Sequence, residues 1–261
     1  MVRYPDGVEA KRTGLWPTLA ALVIVLVVWQ IAAVTVGSDI ILVSPVRVVR
    51  TLVGLVPHSS FWASVGYSLG RICAGFFMAL VVGVALAWVS SANRWADALI
   101  GMVMRVIRSI PVVSFIILLL IWASSAYLGL WVSFLMVVPV IYSNAEEGFA
   151  HRDVKLNQMA QVFGFSHARR FWAISLPGLM PYLISACRVG FGLAWKAGVS
   201  AEVIGMPTGS IGERLYQAKI FLSTADLFAW TAVIVALSYL CEKLTLWALA
   251  RVQSGLGRYA S

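Results

Sequence analysis

Long apolar runs separated by short polar breaks dominate the chain. Trp16–Val36, Ala63–Val89, Val112–Ala126, Leu130–Tyr142, Tyr182–Ile204 and Leu227–Ala250 carry few charges between them. Several of these runs approach or exceed the ~20 residues that cross a bilayer as helix. Spanning segments must satisfy their own backbone N–H and C=O groups, and unbroken apolar runs of this length predict helices. The pattern therefore predicts an all-α, polytopic membrane protein, a single domain over residues 1–261 with five or six spans, six fitting best.

The breaks carry their own information. The segment 37–60 holds Pro45 and then an amphipathic stretch, Val46–Val56, with Arg47 and Arg50 on one face, which predicts a helix lying along the interface rather than crossing it. Within Ala63–Val89, Gly66, Gly70, Ala74 and Gly75 form a small-residue series that predicts close approach of another helix. Pro111 opens the third run and Pro139 falls inside the fourth, so a kink is expected there.

Composition agrees: 61% of the 261 residues are hydrophobic, against roughly 45–50% in soluble domains. The net charge of +9 does not point to nucleic acid, because Lys and Arg are spread between the runs rather than gathered on one face. Positive residues in short loops stay on the cytoplasmic side. That rule places Arg3, Lys11, Arg12, Arg94, Arg152, Lys155, Arg169, Arg170, Arg251 and Arg258 inside, against Arg47, Arg50, Arg214 and Lys219 outside, so both termini are expected in the cytoplasm of a bacterial cell. The first run is longer than a signal-peptide core and lacks a small-residue cleavage site, so it reads as a retained helix. Cys73, Cys187 and Cys241 lie inside runs without CxxC spacing and read as buried small residues, and His58, His151 and His167 show no ligand spacing, so no metal site is expected.

The polar interval at 148–180 is the most informative stretch. Asp153–Val162 is rich in helix formers, Gly164 supplies a permissive backbone for a sharp turn, and Ser166 is placed to cap a second helix, His167–Leu176, ended by Pro177–Gly178. Val162, Phe163, Phe165, Phe171 and Trp172 crowd this turn with Lys155, Arg169 and Arg170 around them. Apolar side chains with a basic rim suit either a docking surface or packing beneath the bundle.

Here the chain resembles the permease subunits of binding-protein-dependent ABC importers, whose cytoplasmic loop reads EAA, three residues, Gly, nine residues, Ile-x-Leu-Pro. Gln158, Met159 and Ala160 stand at the EAA positions, Gly164 at the glycine, and Ile174, Leu176 and Pro177 at the end. Ser68-Leu69-Gly70-Arg71, Arg108-Ser109-Ile110-Pro111, Ala201-Glu202-Val203-Ile204 and Gly209-Ser210-Ile211-Gly212 look like the nitrate, sulfonate and taurine subgroup. The resemblance implies a type I importer permease fold and a coupling surface at Gln158, Met159, Ala160, Phe163, Gly164, Phe165, Ser166, Arg169 and Arg170. It implies a second permease copy, two ATP-binding cassette ATPases holding ATP and Mg, and an extracytoplasmic solute-binding protein. The cargo it implies is a small anion or a vitamin or pyrimidine precursor.

Charges inside spans are functional candidates by default. Ser185, Arg188, Gly192 and Lys196 fall near one face of the fifth run and could line an anion passage, or Arg188 could snorkel and Lys196 pair with Glu202. Arg71, Arg105 and Arg108 read as interface anchors or ion-pair partners near span ends. No GxxxxGK[ST] loop and no converging catalytic side chains occur, so no enzyme and no cofactor are expected in this chain. An ATP-independent secondary transporter or channel remains the alternative, and it would call for polar relay residues deep in several spans.

Overall fold

The computed structural model describes residues 15–151, 154–166 and 174–258. Among them the chain runs through α1 (Leu15–Val36), α2 (Pro45–Leu55), α3 (Ser59–Ala92), α4 (Arg94–Ser109), α5 (Val112–Trp122), a 3₁₀ turn (Ser125–Tyr127), α6 (Leu128–Ala150), α7 (Val154–Val162), α8 (Leu176–Gly205), α9 (Ile211–Ile220) and α10 (Thr224–Arg258). No strand occurs among the described residues.

Local chemistry sets the boundaries. Ser44 caps α2 by accepting from the Arg47 backbone N–H at 3.3 Å, and Pro45 occupies the first turn, where a missing N–H costs nothing. Asn93 separates α3 from α4 and accepts from the Trp95 N–H at 2.8 Å. Ser210 caps α9 by accepting from Glu213 N–H at 2.9 Å. The interfacial helix expected over Val46–Val56 is α2, with Val48 buried and Arg47 paired to Asp39.

At the centre stand α3, α6 and α8. In lipid, helices gain little from hiding apolar surface from one another, so close approach and interhelical hydrogen bonds must hold them together. A Cβ on Gly75 would sit 2.3 Å from the Leu130 carbonyl oxygen, and one on Gly198 would sit 2.5 Å from Ser133 Oγ. Gly148 gives the same kind of room to Leu179, 2.7 Å from where its Cβ would lie. Ser133 donates to the Ala194 carbonyl at 2.9 Å, tying α6 to α8, and Phe76 stacks on Phe191 at 3.7 Å between α3 and α8. Ile72, Phe76, Ile141, Leu179, Phe191 and Trp195 are fully buried around these contacts. Peripheral α1 is exposed along most of its length and meets α10 through Trp29 and Phe228.

Several expectations change. The small-residue series on α3 does not act as a unit: a Cβ added at Gly66 or Gly70 would meet nothing within 4 Å and Ala74 is exposed, while Gly75 alone makes the close contact. Cys73 and Cys241 are half-buried rather than buried, and their thiols meet 4.0 Å apart across α3 and α10. Pro177 does not end a helix: Ile174 and Ser175 lead straight into α8, and Pro177 sits in its first turn. The helix expected over His167–Leu176 otherwise lies largely outside the described residues.

The third run is the largest departure. Its helix, α5, has 11 residues, about 16 Å, half of a ~30 Å hydrocarbon core. It is bent by 102° from α4, so five helices can cross alone and the α4–α5 pair makes a broken sixth span. The pair does carry the chain across. It leaves α3 at Ala92 and arrives at Ala126, whose carbonyl accepts from Tyr67 at 3.1 Å and from Arg71 Nε, 21 residues back along α3 and about 30 Å away.

Gly198→Leu should destabilise the bundle by about 3 kcal/mol or more through overpacking against Ser133 and Ile72. Gly66→Leu should stay within about 0.5 kcal/mol. Thermal melting of the purified protein in detergent distinguishes the two.

Candidate functional site

Two places gather the residues singled out by sequence, and two more emerge only in three dimensions. In the first, α7 ends in a left-handed cap. Gly164 has φ +70°, Phe163 N–H donates to the Met159 carbonyl at 3.0 Å, and Phe165 N–H reaches back to the Ala160 carbonyl at 2.9 Å. That backward-reaching pair of bonds with glycine at the left-handed position is a helix C-cap, which a Cβ would strain by about 1 kcal/mol. Ala160 is buried, whereas Gln158, Met159 and Ser166 are exposed and Phe165 is half-buried. Val162 and Phe163 are 85% and 71% exposed, so the turn presents apolar surface instead of packing it away. Arg169 and Arg170, with Phe171 and Trp172, lie outside the described residues.

The second place is the open face of α8. At 100° per residue Ser185, Arg188, Gly192 and Lys196 share an arc of about 80°. Ser185, Arg188 and Lys196 are exposed, and a Cβ on Gly192 would meet nothing within 4 Å. The rest of α8 is packed: Gly190 faces Val137 and Phe76, and Gly198 faces Ser133 and Ile72. A helix so enclosed, with a polar and cationic stripe left bare, differs from α1 and α10, whose exposed residues are mainly apolar. Lys196 does not pair with Glu202.

Glu202 has other partners, and the contacts join three of the sequence motifs. Fully buried, its Oε2 accepts from Ser68 Oγ at 2.6 Å and from the Gly212 N–H at 3.2 Å, while Ser68 Oγ accepts from the Ile211 N–H at 2.9 Å. Only glycine fits at 212, where a Cβ would lie 2.3 Å from that of Glu202. The knot ties α3, α8 and α9 together at the end where Arg71 stacks on Tyr67 at 3.6 Å.

Arg105 and Arg108 do not behave as end-of-span anchors. They line a groove between α4 and α6 of about 440 Å³, with Tyr142, Ser143, Asp97 and Glu146. Arg108 Nη2 donates to the Pro139 carbonyl at 2.7 Å and to Ser143 Oγ. Reading Pro111 as the start of a straight span concealed this, because the break before it holds Arg108 against the middle of α6.

The architecture and the loop both point to a transport permease, and comparison with known proteins decides the matter. The family described as binding-protein-dependent transport system inner membrane component matches residues 79–255. This chain belongs to that family. It is 28% identical to the taurine transport system permease protein TauC of Escherichia coli over 243 residues, 90% of this chain and 86% of the relative. It is 24% identical to the bicarbonate transport system permease protein CmpB of Synechococcus elongatus, over 93% and 92% of the two chains. The nitrate import permease protein NrtB of Synechocystis is 28% identical over 70% of each. The chain is thus the multi-pass inner-membrane permease of an ABC importer, with the type I fold, and such a system includes an ATPase and a solute-binding protein. The relatives named are transport permeases rather than enzymes.

Glu202→Ala should lower stability by about 3 kcal/mol, because it strands the Gly212 N–H and the Ser68 hydroxyl in a buried site. Lys196→Ala, on the open face, should leave the melting temperature unchanged. Melting curves in detergent test both.

Proposed function

We propose that this permease carries a small anion inward through a pathway completed by a second copy of itself, driven by two ATPase subunits that grip the α7–Gly164 turn. The exposed apolar turn at Val162 and Phe163 carries this reading. A 71% exposed phenylalanine on a left-handed cap, at the spacing of the family's coupling loop, is surface in want of a partner. Gln158 is uncharged, so the grip relies on Phe163, Phe165 and the basic residues Arg169 and Arg170, not on an acidic EAA position. ATP and Mg belong to the ATPase, and closure of its dimer would rock the spans between inward and outward openings. Both termini lie in the cytoplasm, with α2 and α9 on the side that receives the solute-binding protein.

An anion is favoured by the cargoes for which the relatives are named, taurine, bicarbonate and nitrate, and by the cationic stripe of Arg188 and Lys196 on α8. A single α8 offers one wall of a passage, and a second copy would supply the other.

Phe163→Asp should abolish co-purification with the partner ATPase and reduce substrate-stimulated ATP hydrolysis at least tenfold, while the permease itself elutes and melts as wild type. An intact complex with unchanged transport would sink the docking assignment.

A further inference from the structure

We propose that the groove between α4 and α6 is an anion site in which Arg108, supported by Arg105, holds a small oxyanion halfway through the membrane at the α4–α5 break. The proposal rests on the permease reading and deepens it by naming where the cargo dwells.

Depth is the first argument. Arg108 bonds the carbonyl of Pro139, which lies at the middle of α6, inside the apolar run Leu130–Tyr142 and eleven residues, about 16 Å, from the helix end at Ala150. At that depth an exposed guanidinium facing lipid costs several kcal/mol. The interrupted backbone at 109–111 carries the same constraint, since irregular backbone within the membrane is tolerated only when buried in protein or lining a water-filled space. Charge and broken backbone occur together on one groove, so the groove faces the aqueous pathway.

Charge balance is the second argument. Arg108 spends Nη2 on Pro139 and Ser143, which fixes the plane of the guanidinium and leaves the N–H groups on Nε and Nη1 without an acceptor among the described residues. Neither Arg105 nor Arg108 has a carboxylate within 4 Å, the sole such ion pair among the described residues being Arg47–Asp39. Asp97 and Glu146 share the groove, and Glu146 lies one turn beyond Ser143 on α6, facing Arg105. Asp97 precedes Arg108 by eleven residues on α4 and accepts from Ser90 at 2.8 Å, and Glu146 follows Pro139 by seven on α6. Arg105 thus faces a carboxylate, while Arg108 lies nearer the break at 109–111. A planar fork held by α6, with free donors and no carboxylate within 4 Å, suits an oxyanion such as nitrate, bicarbonate or a sulfonate, and the 440 Å³ groove has room for one with part of its water shell.

The test uses the assembled transporter in native membranes, with Cys73, Cys187 and Cys241 replaced by Ala. Arg108→Cys and, with Arg108 intact, Ser143→Cys are reacted with methanethiosulfonates carrying either a sulfonate or a trimethylammonium group, and each rate is divided by that of a free thiol. Both positions should react, and at Ser143→Cys the anionic reagent should be favoured at least tenfold, a preference that collapses in Arg108→Gln. Val235→Cys on the exposed face of α10 should stay unreactive. Absence of reaction at both groove positions, or equal rates for the two reagents at Ser143→Cys, would overturn the proposal. In uptake assays with taurine, bicarbonate and nitrate, Arg108→Gln should lose transport at least tenfold and Arg108→Lys should recover part of it. Wild-type uptake by Arg108→Gln would overturn the site and leave the permease reading standing. Failure of that reading would appear instead as no ATP-dependent uptake by the unsubstituted chain, and the labelling results stand apart from it.

Discussion

Everything in this permease depends on how closely α3, α6 and α8 approach one another. Lipid supplies almost no reward for hiding one apolar helix against another, so the assembly has to come from shape and from hydrogen bonds. Glycines at 75, 148 and 198 remove the atoms that would hold the backbones apart, and Ser133 uses the space to bond the Ala194 carbonyl. The Glu202 knot closes the same unit at one end, joining α3 to α8 and bringing α9 into it.

A tight core has consequences for what surrounds it. With α3, α6 and α8 packed together, α8 has one free stripe, and its polar, cationic character sets that stripe apart from the greasy exteriors of α1 and α10. The broken α4–α5 pair packs along α6, covering part of it and leaving the polar groove at Arg105 and Arg108. At the far side of the membrane from the knot, α6 and α8 hold the ends of the interval that contains α7. A push on the Gly164 turn therefore acts on two of the three core helices, a geometry suited to coupling.

Much of the fold was legible because membrane helices announce themselves by length and apolarity. The first, second, fourth, fifth and sixth runs became α1, α3, α6, α8 and α10, with most of their ends extended where polar or aromatic side chains continue a helix beyond the apolar window. The Gly164 turn was legible too, because a left-handed cap has few chemical solutions. Arg108 was misplaced for a definite reason. Hydropathy averages over a window and cannot tell a charge at the end of a straight span from one at a break within a bent span, and Pro111 is compatible with either. The pairing of Ser68 with Glu202 was equally hidden, since the two are 134 positions apart and neither segment alone names its partner.

Taken alone, the amino-acid order determined that this chain spans the membrane as helices, that its polar interval turns at Gly164, and which family it resembles. These are properties of local composition and spacing, which each segment carries by itself. Only the tertiary structure decided that the third crossing is broken by 102°, that Gly75 rather than Gly66 or Gly70 meets a neighbour, and that Arg108 lies against the middle of α6 beside Ser143. Those outcomes depend on which helix lies against which, and in a bilayer that choice is made by a few close contacts between distant segments.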